Sequence, residues 1–239
     1  MEQIHIHPMK KLLLLILLFP LLCSCSLYYR AIHKSIEGRM GHSSHCLVYS
    51  EKDSAIIRDI FNYGIRIGIN ENDSALSIGA GSGCREFVLS MFTDYVTFYL
   101  EDIDTSCITT KRTIEIYLPH YESLRGKPIT NKFITTGGTE RTLNIGNSKV
   151  NKVIIFNVYH HFTDDMAVMS ECYRVLVSGG QMIISEHVLK RNRKSYKFCD
   201  YGGTYKSEEN FIRDVEAAGF RLDTVIRIGK YYRDFFFSK

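Results

Sequence analysis

Residues 74–83 read SALSIGAGSG, so a short apolar run delivers Gly79, Gly81 and Gly83 into the start of the next periodic segment. Glycines suit such a place because a side chain would hold a ligand away from the backbone, and the unpaired amides of a following helix attract a negative group. A nucleotide-like cofactor fits that chemistry. The dinucleotide fingerprint GxGxxG needs glycine where Cys84 stands, which disfavours NAD and FAD. About 20 residues further on, 96–104 reads VTFYLEDID, a strand-like run ending in carboxylates. A doubly wound sheet sets an acid there against a ribose, whose two hydroxyls can both donate to it. Asp102 is the candidate, with Glu101 and Asp104 as alternatives of register. A third run, 153–162, reads VIIFNVYHHF. Ligands of open parallel sheets sit beyond the carboxyl ends of the strands, so Asn157, Tyr159, His160 and His161 are expected to line a pocket. A histidine pair there can bind or deprotonate a substrate. Each feature also has a plainer reading: a tight turn without ligand, solvated acids at a strand end, and histidines that cap a helix or pack in the core.

The elements that must position these residues follow from periodicity. Apolar residues recur at helical spacing over 53–66 (Ile56, Ile57, Ile60, Phe61, Ile65). Beyond them, short β-branched or aromatic runs alternate with helical stretches, the pattern of βαβ units and a parallel sheet. Strands are expected at 75–78, 96–100, 132–136, 153–158, 181–185 and 222–228, and helices at 86–92, 106–117, 164–176 and 207–218. Residues 231–237 are aromatic-rich and read as a last edge strand. The expected class is α/β, a Rossmann-like doubly wound, mostly parallel sheet with helices on both faces.

With 239 residues, 45% hydrophobic and 23% charged, the chain has ordinary globular composition and ample material for a core. The net charge of +4 comes from scattered basic residues, so no nucleic-acid partner is expected. The 7 cysteines lie in no zinc-binding spacing, and the histidines form no HExxH, so no metal is expected. Met9, Lys10 and Lys11 precede an apolar run at 12–22, followed by Cys23, Ser24 and Cys25. That is a basic n-region, a short h-region and a small-residue processing site, too short to span a bilayer, which needs about 20 residues. Leu22-Cys23-Ser24-Cys25 resembles a bacterial lipobox, which implies lipid attachment at Cys25. The alternative is an uncleaved anchor, or a start at Met9.

Residues 171–185 read ECYRVLVSGGQMIIS, a helix, a Ser-Gly-Gly turn and a strand. With this stretch the chain resembles the class I S-adenosylmethionine-dependent methyltransferases, particularly the small-molecule group of the ubiquinone/menaquinone biosynthesis type. The glycine turn, the acid-ended second strand, the NVYHHF strand end and YRVLVSGGQMIISEH occur in that group's order and spacing, and SEENFIRDVEAAGF at 207–220 continues it. The resemblance covers roughly 74–228. It implies S-adenosyl-L-methionine as cofactor, with Gly79, Ala80, Gly81 and Gly83 at its methionine portion, Asp102 and Ile103 at its ribose side, and Asn157 near the sulfonium. Thr139 and Glu140, with Gly138, would lie by the adenine. Methyl transfer rests mostly on holding the acceptor aligned. A hydroxyl or carbon acid would also need a base, for which His161 is preferred to His160. Family members usually carry an acid where Ser77 stands, and another near the adenine amino group that only Glu140 could supply. Segment 190–205, KRNRKSYKFCDYGGTY, falls where the group places a substrate lid.

The resulting division is a signal peptide and lipobox at 1–25, an N-terminal helical region at 26–70 and a methyltransferase domain at 71–239. The expected partners are a small-molecule methyl acceptor and a membrane, reached through a lipid anchor or the apolar segment. A second reading, favoured by Ser77, is a non-catalytic membrane-anchored lipoprotein that keeps the fold as a ligand-binding or interaction module. The cell envelope is the expected location, with the cytosolic face as the alternative if the signal is not processed. Cys25→Ala is expected to abolish incorporation of labelled palmitate and move the protein out of the membrane fraction; unchanged labelling would refute the lipobox.

Overall fold

The computed structural model describes residues 48–190 and 204–239. The signal segment, Cys25 and most of the 190–205 segment lie outside the described residues. A short 3-10 turn, Glu51–Asp53, leads into α1 (Ser54–Ile67). Gly68 closes α1 in the left-handed region, where glycine carries no Cβ penalty. The chain then alternates: β1 (Ser74–Ile78), α2 (Cys84–Ser90), β2 (Thr97–Asp102), α3 (Thr110–Arg112), α4 (Leu118–Arg125), β3 (Lys132–Gly137) and β4 (Val150–Phe156). It continues through α5 (Asp165–Val175), β5 (Leu176–His187), α6 (Glu208–Glu216), β6 (Arg221–Arg227) and β7 (Tyr232–Ser238).

The strands form one sheet in the order β3-β2-β1-β4-β5-β7-β6. Strands β3, β2, β1, β4 and β5 run parallel, and β7 is antiparallel to both β5 and β6. Alternation along each strand divides the core in two. Leu76, Ile78, Val153, Ile155, Met182 and Ile184 face α5 and α6, whereas Ala75, Phe98, Leu100, Ile154 and Ile183 face α1, α2 and α4. The Rossmann-like α/β architecture with helices on both faces is therefore present. The order of strands reverses between β1 and β4, and a crevice outside their carboxyl ends is where such sheets hold ligands.

Three expectations are corrected. The aromatic run 231–237 forms an interior strand, because β7 inserts between β5 and β6. Phe235 and Phe237 are buried on one face and Phe236 on the other, which only a strand covered on both sides achieves. The helix expected at 106–117 starts later, where the Thr109 side chain accepts the Arg112 amide as an N-cap. It also runs further, through a π-helical turn, Thr113–Tyr117, into α4. Pro119 suggests a stop at this point, and the widened turn lets the helix pass a residue that has no amide to give. Finally, β4 ends at Phe156 because Asn157 turns into the left-handed region at φ 56°.

Phe235 lies at 0% exposure with its ring 4.4 Å from Phe211 of α6. Phe235→Ala is expected to cost about 3–5 kcal/mol in urea unfolding, and a cost under about 1 kcal/mol would mean that β7 is not an interior strand.

Candidate functional site

The turn between β1 and α2 is drawn tight by backbone bonds. The Ala80 amide donates to the Glu101 carbonyl at 2.9 Å, and the Gly83 amide to the Ala80 carbonyl at 2.8 Å. Gly79 has φ 65°, and a Cβ there would meet Val158 Cγ1 at 2.6 Å. The missing side chain at Gly79 thus makes room for the β4 end as well as for a backbone that L residues rarely adopt. The Gly81 amide donates to Asp102 Oδ2 at 2.8 Å, and the Asp104 amide to Asp102 Oδ1 at 2.9 Å. The expected glycine turn and the expected acid therefore meet. A carboxylate held by one amide on each oxygen keeps further lone pairs for hydroxyl donors. Ile103 follows, 65% exposed, an apolar surface beside that carboxylate.

Glu101, the alternative of register, points into the fold. It is buried, and its carboxyl occupies the space a Cβ on Gly138 would need. Burial first, and the Asp102 charge second, raise its pKa to about 7, against the opposing hydrogen bond from the Gly79 backbone. In the loop after β3, Thr139 and Thr142 share a hydroxyl contact of 2.8 Å, and the exposed Glu140 accepts from Thr163 at 2.9 Å, joining this loop to the one after β4.

At the end of β4, the Asn157 amide donates to the Ser185 carbonyl at 2.8 Å, while its side-chain oxygen is buried with no hydrogen-bond donor. Tyr159 turns into the core, its ring 4.6 Å from Phe211 and its hydroxyl donating to Asp165 at 2.9 Å. The two histidines part company. His160 is buried, its Nδ1 2.9 Å from Glu186 Oε2, and Tyr205 stacks on its ring at 4.4 Å. His161 stands at the exposed rim, 4.0 Å from the His160 ring. Partial desolvation and then that neighbour hold its pKa below the ordinary histidine value.

Sequence reasoning passed over three charged residues of this region. Glu186, at the end of β5, also accepts the His187 amide at 2.7 Å, so it pins the turn after β4 to the adjacent strand end. A carboxylate closing the apolar run QMIISEH was the available signal. Glu86 of α2 is fully buried and accepts the Ser77 hydroxyl at 2.8 Å. An acid group from the helix thus lies beside Ser77, the position at which the resemblance leads one to expect an acid. Arg85, the residue before it, lies over the Phe156 ring. Among the described residues, no group of three or more metal-ligating side chains converges, and no helix is long and apolar enough to cross a membrane.

Residues 118–184 match the family described as a methyltransferase domain, a stretch from α4 into β5 that excludes the glycine turn. No curated protein matches the sequence. Among solved structures, the chain is similar to a SAM-dependent methyltransferase from Aquifex aeolicus, with TM-score 0.56 and 18% identity, covering 75% of this chain and 88% of that one. It is similar to a SAM-dependent methyltransferase from Methanosarcina mazei with TM-score 0.52 and 15% identity, covering 73% and 96%. It is also similar to the [4+2]-cyclase SpnF, with TM-score 0.53 and 15% identity, covering 72% and 60%. The fold is that of the SAM-dependent methyltransferases. The cyclase carries the same fold, so the architecture alone does not set the reaction.

The raised Glu101 pKa fixes a sign for pH dependence. A carboxyl that binds its proton more tightly when folded gives stability that is fully present below its unfolded pKa and is lost as pH rises toward about 7. Glu101→Gln is expected to flatten that decline, so its stability relative to the parent rises between pH 5 and 8 in denaturant titrations. A constant difference across that range would show the carboxyl ionised throughout.

Proposed function

We propose that this chain is an S-adenosylmethionine-dependent methyltransferase acting on a small-molecule acceptor. The contact between the Gly81 amide and Asp102 carries the reading, because it brings a side-chain-free turn and an acceptor of ribose hydroxyls together at the carboxyl ends of β1 and β2, next to the β1–β4 switch point. The donor set fits the cofactor: backbone at Gly79–Gly83, the carboxylate of Asp102, the apolar Ile103 and the unsatisfied Asn157 oxygen. When bound, the cofactor supplies an electrophilic methyl carbon on a sulfonium. The chain then has to hold the acceptor in line and shield it. For a hydroxyl acceptor, His161 and His160 are the candidate bases. Glu186, bonded to His160 Nδ1, would orient that imidazole, and a partner of this kind fixes a histidine's tautomer.

The sequence pattern supports the ubiquinone/menaquinone-like subgroup as the nearest chemistry, and Thr139 and Glu140 as neighbours of the adenine. We place the protein at a membrane through Cys25, on the strength of the lipobox-like run. S-adenosylmethionine is made in the cytosol, which favours the cytosolic face if the signal is not processed. The non-catalytic reading drew on Ser77. The Glu86 carboxyl that accepts that hydroxyl at 2.8 Å sets an acid group beside Ser77, which supports the enzyme reading over it.

Calorimetric titration tests the reading. The folded protein is expected to bind S-adenosylhomocysteine, and Asp102→Asn to weaken binding by about tenfold or more, as loss of a charge-assisted hydrogen bond does. No heat at millimolar ligand, from a protein that melts cooperatively, would overturn it.

A further inference from the structure

Most half-buried arginines of the described structure are spoken for. Arg66, Arg174 and Arg233 each hold a carboxylate oxygen at 3.0 Å or less. Arg85 is part-buried too, yet among the described residues no carboxylate lies within ion-pairing distance of it. Its neighbour Glu86 turns away to Ser77. The Arg85 guanidinium carbon sits 3.4 Å from the centre of the Phe156 ring. At that distance only face-on stacking fits, which satisfies the flat face and leaves the in-plane N–H donors for another group. A part-buried guanidinium whose donors no protein carboxylate takes up is open to an incoming counter-charge, and a carboxylate matches its fork in a bidentate way.

The position narrows the source. Arg85 belongs to the first turn of α2, directly after the glycine turn, and Phe156 is the last residue of β4. The guanidinium therefore lies at the switch point itself. One residue beyond Phe156, the Asn157 side-chain oxygen is buried without a donor. A cation lacking a carboxylate and an acceptor lacking a donor, at one strand end, are together the complement of an α-amino acid, which offers a carboxylate and an ammonium.

We propose that Arg85 binds the carboxylate at the amino-acid end of the cofactor. This rests on the cofactor reading given above and assigns a residue that the sequence pattern did not mark. Asn157 complements it by accepting from the ammonium of the same group.

The test compares S-adenosylmethionine with decarboxylated S-adenosylmethionine, which lacks only the carboxylate, by calorimetry on the full chain. The parent protein is expected to prefer the intact compound by about 10- to 100-fold, as for one charged hydrogen-bonded pair. Arg85→Gln should bind both compounds alike, at the parent's affinity for the decarboxylated one. Arg85→Lys keeps the charge and should restore part of the preference, with melting curves certifying the fold of each variant. Equal binding of the two compounds by the parent, or a preference that survives in Arg85→Gln, would overturn the assignment while leaving the cofactor reading standing. A parent protein that binds neither compound would overturn both. If Arg85→Gln fails to fold, the Arg85→Lys preference decides, and a value identical to the parent's with no loss of affinity for the intact compound counts against a bidentate carboxylate contact.

Discussion

The structure of the crevice depends on one hydrogen bond between parts of the chain that sequence separates by 21 positions, the 2.8 Å bond from the Gly81 amide to Asp102. It joins the loop that leaves β1 to the tip of β2, and it does so with a charged acceptor, the stronger kind of hydrogen bond. The contacts of the glycine turn and of the β2 tip gather around that junction. The Ala80 amide reaches the carbonyl of Glu101, Val158 fills the space that Gly79 leaves, and the Asp104 amide turns the chain away after the strand. Because the bond uses backbone on one side and a side chain on the other, the turn and the carboxylate cannot be misaligned independently.

The alternation of apolar and helical stretches made most of the fold legible. β1, β3, α1 and α5 fall within a residue or two of their expected bounds, since each is a strong local pattern closed by glycine, a cap or a polar end. The failures were non-local. Nothing near Phe235, Phe236 and Phe237 says whether one face or two will be covered, because that depends on β5 and β6 arriving on either side. Pro119 carries a true local signal for a helix end, and the chain overrides it by a wider turn whose cost is met by Tyr117 and Tyr121 in the core.

The site divides along the same line. Glycines and Asp102 are readable because their spacing along the chain is their function, a strand, a turn and a strand end. The roles of Arg85, Glu86 and Glu186 become visible only when strands lie side by side: Ser77 and Phe156 on β1 and β4 receive the first two from α2, and His160 after β4 receives the third from β5. The histidine pair shows the limit most clearly. Two identical neighbours in sequence end as one buried, carboxylate-bound ring and one ring at the rim, and only the tertiary fold distinguishes them.

The sheet order has a consequence for biogenesis. β6 pairs with β7 and with no other strand of the described sheet, and β7 follows β6 in the chain. While the polypeptide emerges from the ribosome, β6 must wait outside the sheet with its backbone unpaired until the segment after it has been synthesised and threaded against β5. The half of the domain from β1 to β5 can assemble vectorially, whereas its remaining border closes in a single late event, and an exposed β5 edge is the surface a nascent chain has to keep from neighbours until then.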